Sequence, residues 1–264
     1  MDEAVSVDMM RGVARSAVSD HAGSKAALSL QGKVVLITGA TSPIGRQLVD
    51  AFASAGARLA LCVRRVQDVD PLERSLLSRE ISYLAIPCDL RYEEDVVRMI
   101  HRIVRRFGRI DVVVNTASIC GPKLPIVNYP VDPWRNILAT NLTGSYLVSR
   151  EVLPWMDRQG SGSIIHVTSS LTESSRPEWG AYYVSNHAVE GLTRLLATEH
   201  RNSGVRVNCV DMGAPKPDGP APTDPEWTQA FLWLAGDESA NISGQRINLA
   251  GFKVPASGAS SVTN

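Results

Sequence analysis

The sequence is poor in several things that would mark a function at once. Its four cysteines, Cys62, Cys88, Cys120 and Cys209, are scattered through 264 residues. No two stand at metal-ligand or redox spacing, which argues against a zinc site or a disulfide framework. Three of them (Cys62, Cys88 and Cys209) fall in or beside apparent strands and read as small buried hydrophobes. His101, His166 and His200 show no ligand spacing either, so no metal is expected. Neither charge is in excess, since 27 Lys and Arg face 27 Asp and Glu; nothing here calls for nucleic acid or an anionic membrane as partner. No apolar run approaches the length of a bilayer-spanning helix. The opening Met1-Asp2-Glu3 lacks the basic segment and apolar core of a secretory signal. A reducing cytoplasm is the expected location. The length suits one α/β domain with a full core and is too short for two comfortable ones.

What is present centres on Lys33 to Arg65. Val34-Val35-Leu36-Ile37 is a β-branched apolar run, the pattern of a strand buried on both faces. It stops at Thr38-Gly39. Ile44, Leu48, Phe52 and Ala55 then recur at helical spacing until Gly56, and Arg58 to Val63 supplies a second strand. Strand–helix–strand in this span is a βαβ unit with parallel strands. Its turn, Thr38 to Gly45 (T-G-A-T-S-P-I-G), has the makings of a phosphate cradle. Gly39 permits a sharp reversal and Gly45 close packing of helix on strand, while free amides of the first helical turn face an anion. Thr38, Gly39, Ser42, Ile44 and Gly45 are therefore candidate cofactor residues. Glycine turns join many strands to helices, so the spacing alone is a weak signal. Pro43 removes one of those amides, though proline suits a first turn. The second strand ends in Arg64-Arg65, where an acidic residue would repel a 2′-phosphate. Two arginines favour NADP(H) over NAD(H), unless they are only a solvated strand end.

The alternation continues along the chain. Strands are expected over Ser82–Pro87, Ile110–Val114, Ser163–Ser169, Val205–Val210 and Gln245–Leu249. Helices are expected over Glu93–Phe107, Pro133–Met156, Gly180–Arg201 and Glu226–Ala235. This predicts a Rossmann-type doubly wound parallel sheet, three α/β/α layers in one domain over residues 29–252, with ligands at the carboxyl ends of the strands. Residues 1–28 form an N-terminal extension in which Val5, Met9, Val13 and Ala17 can share a helical face; a frayed tail fits as well. Residues 253–264 read as a disordered tail.

Taken together, the ordered motifs resemble the short-chain dehydrogenase/reductase family, particularly its 3-oxoacyl reductase-like members, from about Leu30 to Gly251. They are the glycine turn, Asp89-Leu90 after the third strand, and Asn115-Thr116-Ala117-Ser118. Asn141 lies within the long helix, Ser169 and Tyr182 stand thirteen apart, and Glu190-Gly191-Leu192-Thr193, Val207-Asn208 and Gly244-Gln245 follow. The resemblance implies hydride transfer between a nicotinamide and a carbonyl or alcohol carbon of a small molecule, in a homodimer or homotetramer. It casts Ser169 as the hydroxyl that binds the substrate oxygen, Tyr182 as the proton-transfer group and Asn141 as holder of a water chain. Asp89, Leu90, Asn115 and Ala117 join the cofactor set. Trp134, Trp155, Val148, Val152 and Leu153 are compatible with an interface between copies and equally with the core. Arg176, Glu178 and Trp179 are expected near the substrate's entrance.

Two departures bear on activity. The family's lysine, four residues after the tyrosine, is here Asn186. A free tyrosine titrates near ~10, and lowering that by about three units takes roughly four kcal/mol, which a neutral amide does not supply. Alcohol oxidation, which needs the tyrosinate, suffers most; carbonyl reduction uses the protonated phenol. Asparagine retains the ability to hydrogen-bond the cofactor ribose. A shifted register, Ser170, Tyr183 and His187, keeps the same spacings, but Ala188 to Arg194 sets the helical phase that turns Tyr182 and Asn186 inward. After the sixth strand the Pro/Gly-rich Ala214 to Asp224 stands where the family has a longer lid. A slow or specialised NADP(H)-dependent carbonyl reductase is the leading reading. The alternatives are a cofactor-binding but non-catalytic sensor or partner subunit, and an interaction protein with an empty site.

Overall fold

The structure, a computed structural model, describes residues 28–76, 81–169, 177–213, 225–250 and 252–255. The expected N-terminal helix, Ser170, Arg176, the 214–224 connection and residues 256–264 of the tail lie outside the described residues.

Largely apolar runs become the strands β1 (Val34–Thr38), β2 (Arg58–Val63), β3 (Tyr83–Pro87), β4 (Val112–Asn115), β5 (Gly162–Thr168) and β6 (Val205–Asp211), while the edge strand β7 (Arg246–Asn248) buries only Ile247. They form one parallel sheet in the order β3-β2-β1-β4-β5-β6-β7. Successive side chains alternate between two cores, Val35 and Ile37 facing one and Val34 and Leu36 the other. The first core is covered by α1 (Pro43–Ser54), α2 (Val69–Leu76) and α7 (Thr228–Ala235); the second by α3 (Glu93–Phe107), α5 (Gly144–Gln159) and α6 (Gly180–Glu199). The result is the doubly wound, three-layer, single-domain architecture. From β1 the chain winds outward through β2 and β3, then returns to build β4 to β7 on the other side. That reversal opens a crevice at the carboxyl ends of β1 and β4, where Thr38 and Asn115 are register partners.

The structure departs from the sequence expectation in two places. Helix α2 was not foreseen, because its sequence, VDPLERSL, has few apolar residues and a proline; Leu72 and Leu76, one turn apart, suffice to dock it. The long helix runs unbroken from Val131 to Gln159 but widens partway along. It consists of α4 (Val131–Ile137), a wide π-type turn over Leu138–Thr143, and α5. Of the two places the sequence allows for Val148, Val152 and Leu153, the structure puts them in the core. Tyr146, Val184 and Leu195 are the exposed apolar side chains of α5 and α6.

Candidate active site

The glycine turn is shaped by what glycine lacks. Gly39 sits at φ +65°, and a Cβ there would stand 3.0 Å from the backbone of Ala117. A Cβ on Gly45 would stand 2.2 Å from the Gly39 carbonyl oxygen. Helix and strand thus approach more closely than any side chain allows. Ser42 caps α1, its Oγ accepting from the Gly45 amide at 2.9 Å, with Pro43 at the first helical position. Among the described residues the Ile44 amide has no partner, which leaves one donor at the positive end of the helix.

Across the crevice, the Thr38 hydroxyl accepts from the amides of Thr116 (3.1 Å) and Ala117 (3.3 Å), while the Thr116 hydroxyl donates to the Thr38 carbonyl. Asn115 is buried and its amide group donates to His166 Nδ1 at 3.3 Å, joining β4 to β5. The segment Asn115–Ala117 therefore forms the crevice wall. This is a cradle of backbone and small side chains, and it fits a dinucleotide.

At the end of β2 the two arginines differ. Arg65 forks onto Asp68 through two 3.0 Å bonds, whereas Arg64 is exposed and makes no hydrogen bond or contact ion pair among the described residues, its charge acting on Asp89 from a distance. Asp89 is gripped by Arg91, Nη2 to Oδ2 at 2.5 Å, which holds its carboxyl below the usual range. Arg91 also donates to Asn136 Oδ1 at 2.7 Å, tying the turn after β3 to α4. Leu90 is buried beside it.

The other half of the site lies where β5, β6 and α6 meet. Tyr182 is buried, packed at 5.7 Å against Trp179, with Cys120 and Tyr183 in the same cluster. Burial pushes its phenol up, and the charge of a Cys120 thiolate would add to this. Ser169, Asn186 and Ser118 face the hydroxyl and act in the opposite direction without overcoming burial. None of these groups is cationic. The phenol is therefore protonated at neutral pH.

Asn186 is also buried, while His187 is exposed, so the helix presents Tyr182 and Asn186 inward. Its carboxamide is used at both ends: Oδ1 accepts the Ser169 amide and Nδ2 donates to the Tyr182 carbonyl, each at 2.8 Å. The sequence reading allowed this side chain to reach a ribose. Its two bonds also anchor the end of β5 to α6. Ser169 Oγ donates to the Gly213 carbonyl at 2.5 Å.

Asn141 lies in the wide turn and is buried. Its Oδ1 accepts from the Ile119 amide at 2.9 Å; its Nδ2 donates to the Ile119 carbonyl and to Ser185 Oγ, both at 3.0 Å. Ser185 in turn donates to the Tyr182 carbonyl at 2.8 Å. Asn141 thus ties the loop following β4 to the first turn of the tyrosine helix. Hydroxyls of Thr140 and Ser145 donate to carbonyls four residues back, a contact that opens helical turns. At the entrance, the Leu124 amide donates to the Glu178 carbonyl at 3.1 Å, and Lys123 lies over the Trp179 ring at 5.2 Å.

Residues that sequence reasoning assigned no role include Arg91, Cys120, Asp211 and Arg246. Arg91 had a local signal, its spacing of two from Asp89. The others gave none, because their contacts are made through the fold.

Residues 33–224 match the family described as short chain dehydrogenase. The chain is 32% identical over 237 residues to the borneol dehydrogenase (mitochondrial) of Lavandula x intermedia, covering 83% of this chain and 89% of that protein. Among solved structures, NAD+-bound xylitol dehydrogenase superposes with a TM-score of 0.74 at 26% identity, over 83% of this chain and 97% of the other. Levodione reductase gives 0.76 at 25% identity, over 84% and 99%. The seven-stranded parallel sheet, the glycine crevice and these likenesses agree: the chain belongs to the short-chain dehydrogenase family, whose members are nicotinamide-dependent oxidoreductases.

Proposed function

We propose that this protein is an NADP(H)-dependent carbonyl reductase, slow or specialised, in which Tyr182 is the proton donor. The observation that carries the reading is the phenol's setting. It is buried, its ionisation is disfavoured, and the groups facing it are neutral. A protonated phenol is the competent form for reduction and the incompetent one for alcohol oxidation. Relatives named as dehydrogenases and a reductase support an alcohol–carbonyl couple as the reaction class.

In this reading Gly39, Gly45 and the Ile44 amide hold the pyrophosphate, with Thr38 and Ser42 shaping the turn. Asn115 and Ala117 wall the crevice, and Asp89 with Leu90 borders the adenine end. Arg64 takes the 2′-phosphate, because Arg65 is engaged with Asp68. The bound nicotinamide supplies the hydride. Tyr182 gives its proton to the carbonyl oxygen, and Ser169 orients that oxygen. Asn141 and Asn186 keep Tyr182 and Ser169 in register. The protein acts on a small molecule, as a cytoplasmic homodimer or homotetramer; among the described residues, no helix is long and apolar enough to cross a membrane.

One observation favours a second reading, a cofactor-binding subunit without turnover. The Asn186 carboxamide is spent on Ser169 and Tyr182 and supplies no charge to either cofactor or phenol. The test is NADPH consumption with a panel of ketones and acyl thioesters, beside a fluorescence titration of NADPH binding. Consumption with at least one carbonyl, and slower alcohol oxidation at neutral pH, is the expected result. Tight binding without consumption selects the second reading, and alcohol oxidation faster than reduction overturns the first.

A further inference from the structure

Behind Ser169 lies an ion-paired network that the proposed reaction leaves unexplained. Asp211, the last residue of β6, is fully buried. A buried carboxylate needs compensation, since desolvation costs several kcal/mol and an unpaired charge in an interior is rarely retained. Arg246, the first residue of β7, provides it: Nη2 meets Asp211 Oδ2 at 2.5 Å, and Nε meets Glu190 Oε1 on α6 at 3.3 Å. One guanidinium thus joins two strands and the helix that carries Tyr182.

The other oxygen of Asp211 faces the site. Oδ1 accepts from the Gly213 amide at 2.9 Å. This holds Gly213 in the left-handed conformation, φ +74°, with open space where a side chain would be. The turn points the Gly213 carbonyl at Ser169, whose hydroxyl donates to it at 2.5 Å. The Ser169 backbone is fixed separately by Asn186.

We infer that Arg246 and Asp211 are positioning residues for Ser169: the arginine fixes the aspartate, which clamps the Gly213 amide, so that the Gly213 carbonyl sets the serine hydroxyl. A hydroxyl has one proton. In the empty site Gly213 takes it, which holds Oγ beside Tyr182; when a substrate carbonyl binds, the hydroxyl turns that proton from the Gly213 carbonyl to the substrate oxygen. The strong charge-assisted pair thereby decides the orientation of a weak neutral group two contacts away. The functional consequence rests on the reductase reading; the geometry does not.

The experiment therefore uses two readouts on full-length protein. Amide hydrogen exchange of Gly213 by NMR reads the brace, and ketone reduction by NADPH reads its consequence. In Arg246→Met, Gly213 should exchange at least about tenfold faster, while β-sheet amides such as Val113 and Ile164 keep their protection. Turnover should fall about tenfold with NADPH affinity unchanged, because orientation and not binding is lost. Arg246→Lys should restore most of both. If Arg246→Met does not fold, Asp211→Asn is read in its place, and faster exchange at Gly213 is again expected. Unchanged Gly213 exchange in a folded variant overturns the inference, as does acceleration spread evenly over the sheet. A wild-type protein that reduces no carbonyl sinks the reductase reading alone, and the exchange result still decides the brace.

Discussion

The crevice between β1 and β4 and the pocket between β5, β6 and α6 are built by different means. The first consists of backbone, glycine and short hydroxyl side chains, and Gly39, Gly45, Ser42 and Thr38 define it within eight residues of sequence. The second consists of long-range side-chain bonds: Asn186 to Ser169, Asn141 to Ile119 and Ser185, Arg246 to Asp211. A backbone cradle tolerates little but depends on few residues. A side-chain network can be retuned one residue at a time, and among the described residues no cation stands with the groups that face the phenol.

The largest expected effect breaks the chemical half alone. Tyr182→Phe should lower carbonyl reduction by about 10²–10⁴-fold with NADPH affinity little changed, measured by steady-state kinetics and fluorescence titration. The complementary change, Gly45→Ala, puts a methyl group 2.2 Å from the Gly39 oxygen. It should cost about 3 kcal/mol of stability through overpacking and abolish NADPH binding, read by denaturant titration and fluorescence.

His166 joins the two halves. It is fully buried, Asn115 donates to its Nδ1, and burial lowers its pKa to about 4. An unfolded imidazole takes a proton near ~6.5. Below that pH the unfolded chain binds a proton that the native protein refuses, so native stability falls as pH drops, and the loss stops near about 4. The total should reach about 3 kcal/mol. Urea titrations between pH 7 and 4 check it, and His166→Asn should flatten the slope in that window.

Smaller effects sharpen the contrast. Arg64→Ala should weaken NADPH binding about tenfold through loss of a charge-assisted contact, while Arg65→Ala, already paired with Asp68, should change it less than about twofold. Comparing NADPH with NADH in each variant isolates the 2′-phosphate.

The same contrast explains what could be read from the chain. Buried strands, the switch point and the glycine turn were legible because periodicity and missing side chains are local properties. So was the inward phase of Tyr182 and Asn186, which Ala188 to Arg194 fix. The use of Asn186 was not legible, because its partner Ser169 is seventeen residues away and only the packing of α6 on β5 makes them meet. Asp211 and Arg246, separated by 35 residues, look like ordinary strand-end charges until β6 and β7 pair. Helix α2 was not legible because a proline and few apolar residues mask it; nor was the wide turn at Asn141, because the hydroxyl back-bonds beside it also occur in regular helix at Thr193 and Thr198.

The claim on which the functional account rests is that Tyr182 carries its proton at neutral pH. Tyrosine labelled with ¹³C at Cζ allows a direct titration, with the Tyr182 resonance assigned by its absence from Tyr182→Phe. This resonance should keep its protonated position through neutrality and begin to move only above the range of an ordinary tyrosine. A resonance that shifts near neutrality would show a tyrosinate held by a cation from elsewhere, and would contradict it.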